Sequence, residues 1–148
     1  MSILQKIVDN TRAKLINKKA ELSLEQIKIS LDDLNLPKSR FKSNISNQDE
    51  AIIAEIKKAS PSAGVISDDF DPVKKAKEYE AFGALALSIL TEEDFFMGSV
   101  EYLKDVKEVT SLPILRKDFI VDEYQIYESK LIGADCILLI ASILSDQQ

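Results

Sequence analysis

The feature that most constrains this chain is an alternation that begins at residue 51. Short apolar runs at 51–56, 84–90, 113–117 and 135–140 are separated by amphipathic stretches. Near-continuous apolar strands joined through helices belong to a parallel sheet covered by those helices. The boundaries carry their own signals. Asp71-Pro72 opens a helix, with Asp as N-cap and Pro at the first helical position. Gly83 and Gly133 stand where a helix must end in a left-handed residue before the next strand. The pattern repeats itself: Tyr79-Glu80 ahead of Gly83-Ala84 resembles Tyr127-Glu128 ahead of Gly133-Ala134. A doubly wound sheet and a (β/α)8 barrel both meet this description, so the strand chemistry has to choose between them.

Side chains alternate along a strand. Ile53, Glu55 and Lys57 therefore share one face, and Ile52, Ala54 and Ile56 form a fully apolar opposite face that suits packing under a helix. On the third strand Pro113, Leu115 and Lys117 share a face, with Ile114 and Arg116 on the other. A Glu and two Lys at the C-terminal ends of strands are aimed away from the helix layer. In a (β/α)8 barrel that direction is the interior near the mouth, where active sites lie. Charges converging there need one another or an anionic ligand. The plainer alternative is a structural Glu55–Lys57 ion pair, with Lys117 a solvated strand end.

Ahead of the alternation, residues 2–35 read as helical and amphipathic. Ile3, Leu4, Ile7, Val8, Ala13, Leu15 and Ile16 sit near helical spacing. A second helix starts at Ser23, with Gln26 completing a capping box and Leu24, Ile27, Ile29, Leu31 and Leu34 as its apolar face. Residues 35–50 read as a loop. The expected organisation is a helical extension over 1–50 docked on a partial barrel over 51–148.

Composition narrows the function classes. The net charge of -6 argues against nucleic acid, which needs a basic surface. No apolar run approaches the roughly 20 residues of a membrane span, and the N-terminus lacks a signal-peptide core. One cysteine, Cys136, excludes an internal disulfide and fits a reducing cytoplasm; its apolar strand marks it as inert core. There is no histidine, so acid–base work falls to Lys, Asp, Glu or Tyr.

The loops after the strands add candidates. Lys58-Ala59-Ser60-Pro61-Ser62-Ala63-Gly64 is turn-rich, and the Ser60 hydroxyl with nearby backbone donors could hold a carboxylate. Thr91-Glu92-Glu93-Asp94-Phe95-Phe96-Met97-Gly98-Ser99 sets two aromatics in a polar loop, where they could stack on an aromatic ligand or plug the core. Phe119 has the same two readings.

Taken together, Ala54-Glu55-Ile56-Lys57 through Ser60-Pro61-Ser62, Ser88-Ile89-Leu90-Thr91-Glu92, Phe96-Met97-Gly98-Ser99, Leu115-Arg116-Lys117-Asp118-Phe119-Ile120, Tyr124-Gln125-Ile126 and Gly133-Ala134-Asp135 through Leu138-Leu139-Ile140 resemble indole-3-glycerol phosphate synthase, in family order and across the whole of 1–148. The resemblance implies the first half of a (β/α)8 TIM barrel, about four parallel strands, behind the N-terminal extension. It implies a decarboxylating ring closure of 1-(2-carboxyphenylamino)-1-deoxyribulose 5-phosphate, a step of tryptophan biosynthesis, with no metal and no organic cofactor. By match to the family, Lys117 is the general acid and Glu55 orients it and helps move protons. Lys57 and Ser60 hold the substrate carboxylate. Phe96 and Phe119, with Leu138 beneath, line the slot for the flat ring. Ala63 departs from the family, which usually has lysine there.

The family's second catalytic glutamate, an asparagine and the phosphate-binding loops lie on later strands. The expectation for these 148 residues by themselves is therefore little or no turnover. The alternative is a non-catalytic half-barrel that forms a homodimer or complements a separate C-terminal half, since four open strands leave two unpaired edges. A sibling barrel such as phosphoribosylanthranilate isomerase, which uses Cys and Asp, fits the Glu–Lys–Lys set poorly.

Overall fold

The computed structural model describes residues 1–148. Three helices lead the chain: α1 (Ile3–Glu21), α2 (Leu24–Asp32) and α3 (Phe41–Ser46). There follow β1 (Ile53–Ile56), a small hairpin of β2 (Ala59–Ser60) and β3 (Gly64–Val65), α4 (Pro72–Ala81), β4 (Ala86–Leu90), α5 (Val100–Val109), β5 (Ile114–Lys117), α6 (Glu123–Leu131) and β6 (Cys136–Ile137). A short 3₁₀ turn spans Ala141–Ile143. β1, β4, β5 and β6 form one parallel sheet in that order, each pair of neighbouring strands joined through a helix. This is half of a TIM-barrel sheet. No helix is long and apolar enough to cross a membrane.

The ends of the elements are set by the residues that announce them. The Asp71 carboxylate accepts from the Lys74 N–H, ahead of Pro72. Ser23 and Gln26 close the capping box. Gly83 and Gly133 take φ of 88° and 92°, where a side chain would strain the backbone. After each glycine the chain turns identically: the Ala84 N–H donates to Tyr79 O and the Ala134 N–H to Ser129 O. Ser129, not Tyr127, is thus the equivalent of Tyr79. The glycine turn repeats and the Tyr-Glu pair does not.

Two apolar clusters hold the layers. Ile56, Leu87, Ile89 and Ile114 point from the strands' outer face against Ala76, Leu103 and Val106 of α4 and α5. Each large aliphatic group so buried contributes about 1.5–3 kcal/mol. The second cluster joins Val8 and Leu15 of α1 and Ile27 of α2 to Val121 and Tyr124 at α6. Charge pairs reinforce it, Lys18 to Glu128 and Lys19 to Asp122.

Several sequence expectations are corrected. Phe41–Ser46 is helical within the supposed loop, with its Asn44 amide donating to Leu85 O. Ile52 is exposed rather than packed under a helix, because pairing begins only at Ile53. Ile3 and Ile16 of α1, and Ile29 and Leu34 around α2, face solvent; the buried stripes are narrower than the apolar content. The fourth strand pairs over two residues rather than six.

Candidate active site

β1 carries a carboxylate one residue before its end, and an ammonium follows the strand directly. Glu55 lies in register with Ser88 of β4, and Ser88 with Leu115 of β5. Register partners in a parallel sheet present side chains to the same side. Glu55, Ser88, Leu115 and, two residues on, Lys117 therefore share the inner face. Lys117 Nζ lies 2.5 Å from Glu55 Oε2, and Lys57 Nζ 2.9 Å from Oε1. Each carboxylate oxygen takes one ammonium. The bridge from Lys117 has to cross β4, the strand between its two ends.

Burial alone would raise the Glu55 pKa. The hydrogen bonds and charges of Lys117 and Lys57 outweigh burial and hold the carboxyl below its usual range. Glu55 is thus an anion at neutral pH. The lysine side chains keep 40% and 32% of their exposure, so both ammonium groups remain within reach of a ligand. A cleft of about 440 Å³ opens beside Glu55 and Lys57, lined also by Phe70 and Tyr79; Lys117 does not line it. Two ammonium donors around one carboxylate can hold an anion with one and protonate a developing oxyanion with the other.

Two aromatic rings stand on the loops above. Phe96 and Phe119 are in tilted contact, with ring centroids 5.9 Å apart and planes 39° apart. Each loop is tied by a buried carboxylate. Glu92 Oε2 accepts the Phe95 and Phe96 N–H groups at 2.7 and 3.0 Å, and Oε1 accepts the Asp94 N–H at 3.2 Å. Burial, with the charge of nearby Asp118, pushes the Glu92 pKa up despite these donors. Asp118 accepts the Phe119 N–H and the Thr91 hydroxyl. Leu138 follows β6 on the inner face and is half-buried, its N–H donating to Arg116 O.

Ser60 stands apart from the charged cluster. Its hydroxyl accepts the Ala63 N–H at 3.2 Å and lies 3.4 Å from the Ser62 hydroxyl, inside the β2–β3 turn. The structure thus joins Glu55 to Lys57 and Lys117, and Phe96 to Phe119, but gives Ser60 no bond to either group. Cys136 shares the inner face with Leu115 and is half-buried rather than core; burial pushes its thiol up to about 11.

Sequence reading missed the network on the other side of β5. Arg116 is 2% exposed and donates to Thr91, Asp118, Glu128 and Ser129. The signal was available: an arginine on the helix-covered face of an apolar strand requires buried partners. A cavity of about 50 Å³ beneath α1 is lined by Arg116, Asp118 and Thr91 with Lys14 and Lys18; ion pairs within the chain account for its charges except that of Glu92, which takes backbone N–H groups.

Comparison with known proteins gives one answer. A family model described as indole-3-glycerol phosphate synthase matches residues 4–148. A protein of that name from Clostridium acetobutylicum is 57% identical over 145 residues, 98% of this chain and 55% of the relative. One from Ruminiclostridium cellulolyticum is 50% identical over 143 residues, 96% of this chain and 55% of its own. One from Thermoanaerobacter pseudethanolicus is 59% identical over 107 residues, 72% of this chain and 41% of its own. The chain spans about half the length of the curated relatives it matches. With the family model matched over residues 4–148 and relatives of that name up to 59% identical, this chain belongs to the indole-3-glycerol phosphate synthase family.

Proposed function

We propose that this chain supplies the strand-one to strand-four side of a decarboxylating indole-3-glycerol phosphate synthase. The observation that carries the reading is the Lys57–Glu55–Lys117 cluster at the C-terminal ends of β1 and β5. The substrate is 1-(2-carboxyphenylamino)-1-deoxyribulose 5-phosphate. The ring carbon that bears the carboxylate attacks the ribulose carbonyl, and Lys117 donates its proton to the carbonyl oxygen. Carbon dioxide leaves, and its bonding electrons restore the aromatic ring. The new hydroxyl then departs as water, and loss of a proton completes the indole.

In this scheme Lys57, with Ser60 once the β2–β3 turn closes on substrate, holds the carboxylate. Glu55 keeps Lys117 aimed and relays protons. Phe96 and Phe119 clasp the flat ring above Leu138. Residues 1–50 form an extension docked on α6, and the reaction belongs to the reducing cytoplasm, in keeping with a single unpaired cysteine.

β1 and β6 are the outer strands of the sheet, which favours a second reading of the 148 residues taken alone. They form a half-barrel that pairs with a second copy or with a complementary C-terminal half. One set of measurements separates the readings. The chain is assayed with substrate alone and mixed with the C-terminal portion of the C. acetobutylicum relative, and its mass is measured in solution. Turnover in the mixture, abolished by Lys117→Met with an unchanged circular dichroism spectrum, is the expected result. A mixture that assembles without turnover leaves the half-barrel reading, and parent-like rates in Lys117→Met remove that residue from the mechanism.

A further inference from the structure

Ser88 is the unexplained polar group of this site. It is 6% exposed, and its hydroxyl oxygen has no hydrogen-bond partner. A buried polar atom without a partner is rare in a folded protein and costs free energy for as long as it stays so. Its neighbours on the sheet are charged. Ser88 is the β4 residue in register with Glu55, and Leu90, two residues on, is in register with Lys117. The Lys117–Glu55 bridge therefore passes over β4 at the level of Ser88 and Leu90.

The resting carboxylate has no need of this donor, because Lys57 and Lys117 occupy one oxygen each. That changes once the lysines are used. An ammonium that turns to a substrate carboxylate or carbonyl leaves a partly buried anion with an oxygen unmatched, and an uncompensated charge there raises the free energy of the very state the site must reach. The residue in register beside Glu55 on β4 is Ser88, and a hydroxyl proton swings about its C–O bond without moving the backbone.

We propose that Ser88 is a reserve donor to Glu55: its hydroxyl takes over a carboxylate oxygen when Lys117 or Lys57 turns toward substrate. Ser88 is a positioning residue, acting through Glu55 rather than on substrate. The inference rests on the proposed turning of the lysines, but the contact itself is testable without substrate or turnover.

The test uses the 148-residue chain. Lys117→Met frees Glu55 Oε2 as substrate would. The Glu55 carboxyl is titrated by carbon-13 NMR in the parent, Ser88→Ala, Lys117→Met and the double variant. Ser88→Ala is expected to leave the midpoint unchanged beside an intact Lys117, and to raise it in the Lys117→Met background. Ser88→Thr, which keeps a hydroxyl, is expected to restore the lower midpoint there. Thermal unfolding supplies the control: removing an unpaired hydroxyl from the parent is neutral or slightly stabilising. Equal titration with and without the hydroxyl in the Lys117→Met background overturns the proposal. So does a parent that loses thermal stability on Ser88→Ala, because the hydroxyl would then already be bonded at rest. Neither result bears on whether the family reaction occurs, which the turnover assay decides.

Discussion

Lys117 reaches across an entire strand to meet Glu55, 62 residues earlier in sequence, and Glu55 answers with the oxygen that Lys57 leaves free. Glu55→Gln removes the anion from between two ammonium groups. In the assembled synthase this should lower kcat about a hundredfold, the scale of a lost acid–base partner. The effect on stability is small, because the groups are partly exposed and solvent screens the pair to about 1 kcal/mol or less. Its pH dependence follows from the lowered carboxyl pKa. The stabilisation is complete above the unfolded value of about 4.3 and disappears as pH falls through the lower folded value. The melting-temperature difference between parent and Glu55→Gln should therefore be constant near neutrality and shrink in acid below about pH 4.

Arg116 lies behind the same strand and carries a different load. Its guanidinium is enclosed by Asp118, Glu128, Thr91 and Ser129. Arg116→Met leaves the buried Asp118 without its cation and the half-buried Glu128 with Lys18 alone, a change that costs about 3–5 kcal/mol. Burial would raise the Glu128 pKa, but the charges of Arg116 and Lys18 overcome it and hold the pKa low. Stability from this group is present above the unfolded carboxyl value and lost as pH drops through the folded one. Urea unfolding of Arg116→Met should show the large loss at pH 7, and a Glu128→Gln background should reduce it.

The contrast between these two residues explains how far the sequence could be read. Alternation along 53–57 and 113–117 follows from backbone geometry, so Glu55, Lys57 and Lys117 could be placed on one face before any fold was known. The caps at Ser23 and Asp71 and the turns at Gly83 and Gly133 were legible because each is a local requirement. Arg116 was assigned to the correct face, but its partner Glu128 comes from a different element, and pairing across elements is not written locally. The same holds for α1. Periodicity marks both Val8 and Ile16 as apolar, and only contact with Ile27 of α2 and Tyr124 of α6 decides that Val8 is buried and Ile16 is not. Ser60 illustrates a third limit, since a turn hydroxyl is satisfied by its own loop before any ligand arrives.

Gly98 closes the loop that carries Phe96. Its N–H donates to Glu92 O, and a Cβ built there would stand 2.5 Å from Leu90 O and 2.7 Å from Glu92 O. Both are backbone atoms, one at the end of β4 and one in the loop just after it, and cannot rotate aside. Gly98→Ala should cost about 1–3 kcal/mol, the usual penalty for overpacking, which for a chain of this size lowers the melting temperature by about 2–4 °C per kcal/mol. Gly83→Ala is the useful comparison, because nothing lies within 4 Å of its Cβ and its penalty comes from the φ of 88° alone. Calorimetry on the two variants should find Gly98→Ala the more damaging.

Glu92 organises that loop from below, and its removal should act on Phe96 before it acts on the fold. Its carboxylate gathers the N–H groups of Asp94, Phe95 and Phe96 into a concave cradle of the kind that binds anions. Glu92→Gln keeps one acceptor oxygen but turns the other position into a donor facing donors, while Glu92→Ala removes both acceptors. Leaving buried N–H groups unpaired costs about 1–3 kcal/mol, and the loop can avoid most of that by opening to water. Amide hydrogen exchange should therefore accelerate at Phe95 and Phe96 by about tenfold or more in Glu92→Ala, since 1.4 kcal/mol of local opening is a factor of ten. The amides of Leu87 and Ile89, held within the sheet, should keep their parent rates. Uniform acceleration across both sets would mean global destabilisation and would deny Glu92 a specific hold on the aromatic loop. In the synthase assembly proposed above, the same variant should raise KM more than it lowers kcat, because the proposed ring slot at Phe96 and Phe119 would lose its fixed wall while Lys117 and Glu55 stay in place.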